Sequence, residues 1–179
     1  TFIFDGTGPG FGDVFNDPPV PNPFSEVNKE NVPIQRKTIR GAAGESWRIG
    51  SGNELIVTEE TNAVNEVRKW TTAGIANGYY LGQSLTKIKT RDENGLISYE
   101  YRLNDDIVVL KKTILSDEKA QQTYYVYDDY NNLRYIIPPM AINEMEELNN
   151  WTITASLKAK WISEFIYDDE NRLVEKHTP

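Results

Sequence analysis

The sequence has no cysteine and a single histidine among its 179 residues. The first absence removes disulfides, cysteine nucleophiles and thiolate metal sites. It leaves the compartment open. The lone His177 cannot make a two-histidine metal site, and no Gly-x-Ser-x-Gly elbow is present to recruit it into a triad. Positive charge is also scarce. Nineteen Lys and Arg stand against 27 Asp and Glu, for a net charge of −8 and a pI near 4.8. That balance argues against nucleic acid, which selects basic stripes, and against an anionic membrane surface. No run approaches the ~18 apolar residues of a membrane helix, so no membrane insertion is expected. Thr1 rather than Met opens the chain, so its start reads as processed or truncated, and no signal peptide remains to be read.

Aromatic residues are present in force: ten Tyr, six Phe and four Trp within a 39% hydrophobic composition. They supply enough large side chains for a modest core in one domain. A short phrase also recurs. Tyr127-Asp128-Asp129-Tyr130-Asn131-Asn132-Leu133 is nearly repeated as Tyr167-Asp168-Asp169-Glu170-Asn171-Arg172-Leu173. A degenerate copy, Asp92-Glu93-Asn94-Gly95-Leu96, lies upstream. Each phrase sits between alternating apolar runs, which makes it the polar turn of a hairpin unit.

Residues 1–33 are rich in Gly and Pro and read as an extended linker, with at most a short strand near Phe2 and Phe4. Strand-like alternation begins at 34–40 and continues through 53–60, 65–72 and a short stretch around Tyr79 and Tyr80. The clearest hairpin pairs 84–90 with 96–103, because Asn94-Gly95 supplies the positive φ of a tight turn. Further strands fall at 107–115, 122–127, 133–137, 161–167 and 173–177, with polar turns at 104–106 and 116–120. Pro138-Pro139 stops the meander, and one short helix fits 140–149 on the spacing of Met140, Ile142, Met145 and Leu148. Residues 152–157 fit either a strand or a second short helix. The expected fold is mainly β: an antiparallel meander of hairpins over 34–179, truncated at its C-terminus because the chain breaks off inside the pattern.

The residues that invite a chemical reading favour a structural one. The paired acids Asp128/Asp129, Asp168/Asp169 and Asp105/Asp106 suggest acid–base work or calcium. Calcium loops, however, need oxygens at alternating positions and usually a terminal Glu. Turn chemistry explains the acids better, since Asp and Asn cap their own backbone. Gly6, Gly8, Gly10 and Gly12 lack the Lys and Ser/Thr of a phosphate loop. Neither a catalytic, a cofactor-binding nor a metal-binding residue is expected, and no cofactor.

Two longer stretches carry a family resemblance. Tyr124-Tyr125-Val126-Tyr127-Asp128-Asp129, followed by Asn132-Leu133-Arg134-Tyr135 and Pro138-Pro139, resembles one YD repeat of the bacterial Rhs family. Phe165-Ile166-Tyr167-Asp168, followed by Asn171-Arg172-Leu173 and Glu175-Lys176, resembles the next. Val108-Val109-Leu110-Lys111-Lys112 is similar to the second strand of such a hairpin, and 41–50 with 65–70 resemble the region preceding the repeats. The resemblance covers 35–179 and makes Tyr127, Asp128, Asn132, Leu133, Tyr167, Asp168, Asn171 and Leu173 the structural repeat residues. It implies a secreted or cell-surface protein in which many hairpins build a β-shell around a C-terminal toxin. The partners would then be the adjacent YD repeats and toxin domain of the same long polypeptide. The family's self-cleavage motif has no match, so no proteolytic activity is carried over. Carbohydrate is the alternative partner, on a stacking face of Tyr79, Tyr80, Tyr99, Tyr101, Tyr124, Tyr125, Tyr127 and Tyr135. Against it stands the expectation that half of these rings lie inward. The strand at 173–177 is expected to be an open edge that supports a weak edge-to-edge dimer.

Overall fold

A computed structural model describes residues 21–30, 36–104, 107–116 and 119–179. The strands are β1 (Glu26–Lys29), β2 (Lys37–Gly41), β3 (Leu55–Thr61), β4 (Arg68–Trp70), β5 (Ala76–Tyr79) and β6 (Thr86–Arg91). They continue as β7 (Ile97–Arg102), β8 (Val108–Ser116), β9 (Lys119–Tyr127), β10 (Leu133–Ile137), β11 (Ser163–Tyr167) and β12 (Leu173–His177). Two helices, α1 (Pro139–Glu147) and α2 (Ala155–Lys160), separate β10 from β11. Ten strands make one antiparallel sheet in the order β1-β2-β3-β6-β7-β8-β9-β10-β11-β12. β4 and β5 form a separate pair. The fold is therefore the antiparallel meander that the alternation predicts, with one excursion.

The buried face follows from register. Tyr101 opposes Leu110, Leu110 opposes Tyr124, and Tyr124 opposes Ile137, a row across four strands. All four side chains are buried. Residues directly opposite in an antiparallel sheet share a face, so this row is the floor of the core. Its roof is the β4–β5 pair with the two helices. Trp70 of β4 meets Tyr124 edge-on at 5.9 Å and Trp151 at 6.4 Å. Ala141, Ile142 and Met145, spaced to share one stripe of α1, are buried. Burying a side chain of this size contributes about 1.5–3 kcal/mol.

Local chemistry ends each helix. Pro139 takes the first turn of α1, where its missing N–H costs nothing. Asn149 closes that helix at φ 46°, with the Asn150 amide donating to Met145 and the Asn149 amide to Glu146. This is the paired closure that a left-handed residue permits. Thr154 caps α2 by accepting from the Leu157 amide, and Lys158 and Lys160 sit in its last turn.

The excursion between β3 and β6 is pinned by Asn62, which is 1% exposed. Its side chain donates to the Leu81 and Ala63 carbonyls and accepts from the Leu85 amide. One amide group thus ties both ends of the 62–85 segment together and satisfies itself, as a buried polar group must.

Four expectations need adjustment. Glu26–Lys29, placed in the linker by its proline-rich surroundings, is a strand of the main sheet paired with β2. The 65–72 strand is only Arg68–Trp70, shortened by a register shift between its two pairs. The 152–157 segment resolves into an isolated bridge, Thr152 to Ile75, followed by α2, so there are two helices rather than one. Trp161 ends α2 rather than beginning β11. The readings on residues 1–20, 31–35, 105–106 and 117–118 lie outside the described residues.

Candidate functional site

Four turns share one geometry: 71–75, 92–96, 128–132 and 168–172. In each, the first residue's amide donates to the fifth residue's carbonyl, and the fourth residue's amide donates back to the first carbonyl. All eight bonds measure 2.9–3.0 Å. The fourth residue is left-handed in every case: Gly74 at φ 75°, Gly95 at 83°, Asn131 at 63° and Asn171 at 60°. The flanking pairs keep one register, Trp70 with Ala76, Arg91 with Ile97, Tyr127 with Leu133 and Tyr167 with Leu173. Glycine and asparagine tolerate this backbone, whereas other residues are penalised by about 1–2 kcal/mol.

The aspartate explains the phrase. Oδ1 of Asp92 accepts the amides of Asn94 and Leu96. Asp128 does the same for Tyr130 and Asn132, and Asp168 for Glu170 and Arg172. One carboxylate oxygen therefore satisfies two amides that the reversal would leave unpaired. The Asp168 carboxyl is held below the usual range, first by the Arg172 amide and side chain, against a smaller opposing effect of burial, and by the Glu170 amide. In the fourth turn Thr71 stands in for aspartate, its Oγ1 accepting the Ile75 amide. The sequence hides this copy because only Gly74 and the following apolar residue match the phrase.

Tyr127, Asp128, Asn132 and Leu133 lie at the β9–β10 turn, and Tyr167, Asp168, Asn171 and Leu173 at the β11–β12 turn. Tyr127 and Tyr167 are both half-buried at equivalent strand ends. Burial, then the neighbouring Tyr125 and Tyr167, push the Tyr127 phenol up. The two turns also touch. Asn132 Nδ2 donates to its own Asp128 Oδ2 at 3.2 Å and to Asn171 Oδ1 of the next turn at 2.9 Å. His177 Nε2 lies 2.9 Å from Glu175 Oε2 on β12, and His177 sits opposite Glu164 of β11. Among the described residues no group of three or more His, Asp or Glu is placed to hold a metal ion.

Two Lys–Glu–Tyr groups were not legible in the sequence. Glu66 Oε1 takes the Lys87 ammonium at 2.7 Å and the Tyr101 hydroxyl at 2.8 Å, while Oε2 takes the Ala63 amide. Glu164 Oε1 takes the Lys158 ammonium at 2.6 Å and the Tyr135 hydroxyl at 3.1 Å. In both, the lysine also lies over the tyrosine ring, 5.8 Å from Tyr101 and 5.1 Å from Tyr135. Burial pushes both carboxyls up, but the lysine and the tyrosine hydroxyl, with the Ala63 amide at Glu66, outweigh it and leave them below the usual range. These groups fasten the roof: Glu66 precedes β4, and Lys158 belongs to α2. Their sequence separations, 21 residues from Glu66 to Lys87 and 29 from Tyr135 to Glu164, give no local signal.

The aromatic set divides. Tyr101, Tyr124 and Tyr135 are buried in the core. Burial pushes the Tyr124 phenol up to about 12, against an opposing hydrogen bond from the Arg68 backbone. Tyr80, Tyr125 and Tyr127 instead border a cleft of about 480 Å³ between residues 68–72 and residues 125–129. Leu103, Ile107 and Val109 give it an apolar side, and Lys69, Asp129 and Asn131 contribute polar groups. Trp70 also lines it, and its buried indole N–H has no acceptor among the described residues. Asp128 borders the same cleft, but its carboxylate is taken up by its own turn. No helix among the described residues is long and apolar enough to cross a membrane. In comparison with known proteins, the chain matches no family model and no curated protein.

Proposed function

We propose that the chain is a non-catalytic structural segment of a Rhs/YD-repeat β-shell that encloses a C-terminal toxin or effector. The carrying observation is the capped turn, which recurs with one hydrogen-bond pattern and one register in three hairpins of the ten-stranded sheet, β6–β7, β9–β10 and β11–β12, and again in the β4–β5 pair. Its aspartates are occupied by backbone amides, which is a fold-building use of an acid. Among the described residues, β1 and β12 stand at the two ends of the strand order, which suits a sheet built by adding hairpins side by side. The partners are then neighbouring repeats of the same polypeptide, and the location is secreted or cell-surface. Electron microscopy of the product of the complete gene tests this reading. A hollow β-walled particle with this sheet in its wall is the expected result. A free-standing domain on a particle of another kind overturns it.

The cleft favours a second reading, a surface module that binds carbohydrate. Tyrosine faces with nearby Asp129 and Asn131 suit a hydroxylated ring, stacked on one side and hydrogen-bonded at its rim. Trp70 reports on this site. Its fluorescence should change with saturation on titration with a bound oligosaccharide, and Tyr125→Ala should abolish the change. An unchanged signal across a panel of neutral and acidic sugars removes this reading.

A further inference from the structure

We propose that the part of the core face lying beyond the roof is a docking surface for this chain's own residues 1–20, held by Lys89, Lys112 and a row of isoleucines. Register defines the surface. Beside the buried row of Tyr101, Leu110 and Tyr124 runs a second row: Lys37, Thr58, Lys89, Tyr99, Lys112 and Gln122. A third follows, Ile39, Ile56, Arg91, Ile97 and Ile114. Residues two apart in a strand share a face, so both rows continue the floor of the core. The roof does not bury them. Lys37 is exposed, and every other residue of the two rows is half-buried.

The surface is cationic and apolar at once. Lys87 is taken by Glu66, and Arg91 by Glu54 and the Gly52 carbonyl. Lys89 and Lys112 flank Tyr99 in register, and neither has an ion pair or a side-chain hydrogen bond among the described residues. Glu60, opposite Lys87, stands diagonal to Lys89 and pairs with neither. Two half-buried ammonium groups without a counter-charge, in a molecule of net charge −8, select an acidic occupant. Ile56, Ile97 and Ile114 select an apolar one.

Residues 1–20 have both properties and join the fold at the right place. They carry Phe2, Phe4, Phe11 and Phe15 with Asp5, Asp13 and Asp17, and no Lys or Arg. They lead into Pro21 and Asn22, and Asn22 accepts the Gly44 amide at 2.7 Å and donates its side chain to Glu45. Glu26 opposes Gly41, two residues beyond Ile39 in β2, so the segment is delivered at the isoleucine end of the rows. From β2 to β8 the strand order runs β2-β3-β6-β7-β8, about 19 Å at the usual strand spacing. Ten extended residues span about 33 Å, so the segment reaches both rows with chain to spare. Tethering also favours it over a second copy or a foreign acidic peptide, because its effective concentration at the face is high. The contact is the same for a shell segment and for a surface module.

The test uses the full chain, deuterated except for phenylalanine rings and isoleucine δ1 methyls. Nuclear Overhauser contacts should join the Ile97 and Ile114 methyls to phenylalanine rings of residues 1–20. Chymotrypsin reads the same contact as protection of the bonds after Phe11 and Phe15, since cleavage follows the undocked population. Asp5→Lys, Asp13→Lys and Asp17→Lys together leave the sheet untouched and should speed that cleavage roughly 10-fold, as for loss of two charge pairs. Adding Lys89→Glu and Lys112→Glu to that variant should restore protection, whereas adding Thr123→Glu, on the other face of β9, should not. Four results overturn the proposal. They are no methyl–ring contact, cleavage unchanged by the aspartate substitutions, no rescue by the lysine reversals in a chain whose methyl spectrum stays folded, and contacts found only between differently labelled chains in a mixture. The last would assign the face to a second copy.

Discussion

At the scale of the residue, the recurring phrase is an account of unpaired amides. Asp128 accepts two backbone N–H groups with one oxygen, so Asp128→Ala should cost about 1–3 kcal/mol, the range for stranding hydrogen-bond partners. Asn131→Gly should be nearly neutral, because both residues accept φ 63°. Asn131→Val should cost at least the ~1–2 kcal/mol of the left-handed backbone, since β-branching worsens it. Urea denaturation of the three variants checks the order. Charge at Glu66 and Glu164 governs the acid limb. Both carboxyls have lowered folded values, so their contribution is full above the unfolded value of about 4.3 and is lost as pH falls through the folded values. Lys158 is raised: burial opposes the shift, but the Glu164 contact outweighs it. Its contribution is full below the unfolded value of about 10.4 and is lost as pH rises through the folded one. Glu164→Gln should therefore flatten the stability profile below pH ~4.3 and above pH ~10.4 relative to the unaltered chain. Thermal melts across pH measure both limbs. The aspartate phrase was legible because its donors and acceptors are near neighbours in the chain. The Lys–Glu–Tyr groups were not, because their members meet only through the sheet.

At the scale of the element, the twelve strands follow from alternation where one face is covered. Reading was poorest where proline or a register shift intervenes. Glu26–Lys29 was hidden by the flanking prolines, although its pairing with Lys37–Gly41 needs only four residues. Strands near β4 and β5 were read, but their departure from the main sheet was not, because nothing local says that β3 should pair with β6 across 24 residues. The stop at Pro138-Pro139 and the spacing of Met140, Ile142, Met145 and Leu148 placed a helix where α1 stands, although only Ile142 and Met145 of the four are buried and Ala141 joins them. Its burial gives a further expectation. Met145 is fully buried against the sheet, so Met145→Ala should cost about 2–5 kcal/mol, whereas exposed Met140→Ala on the same helix should cost little. Tyr127→Ala should fall between them, at about 1–3 kcal/mol, because its ring is only half-buried. Calorimetric melts of the three variants decide the ranking. If Tyr127→Ala melts as the unaltered chain does, the strand-end tyrosine of the phrase has no packing role.

At the scale of the whole molecule, the roof spans only part of the sheet. The buried floor runs through β7, β8, β9 and β10, while β1 and β12 are exposed along their full length. In the ten-strand order each strand bonds only to the strands beside it. Such a sheet behaves as a linear array, in which stability is the sum of each unit and its junctions with its neighbours. Opening should then travel inward from the two rims, and no single event should release every amide at once. Native-state hydrogen exchange should record this as a gradient: fastest at β1 and β12, intermediate at β2, β3 and β11, and slowest at β8 and β9. Uniform exchange across the sheet would mean that the roof locks all ten strands into one cooperative unit. The gradient carries a further consequence for length. Each hairpin added to a rim should slow exchange in the strand it covers and leave β8 and β9 unchanged. The molecule would thus gain protection by growth at its ends, much as a zip gains hold with each tooth closed.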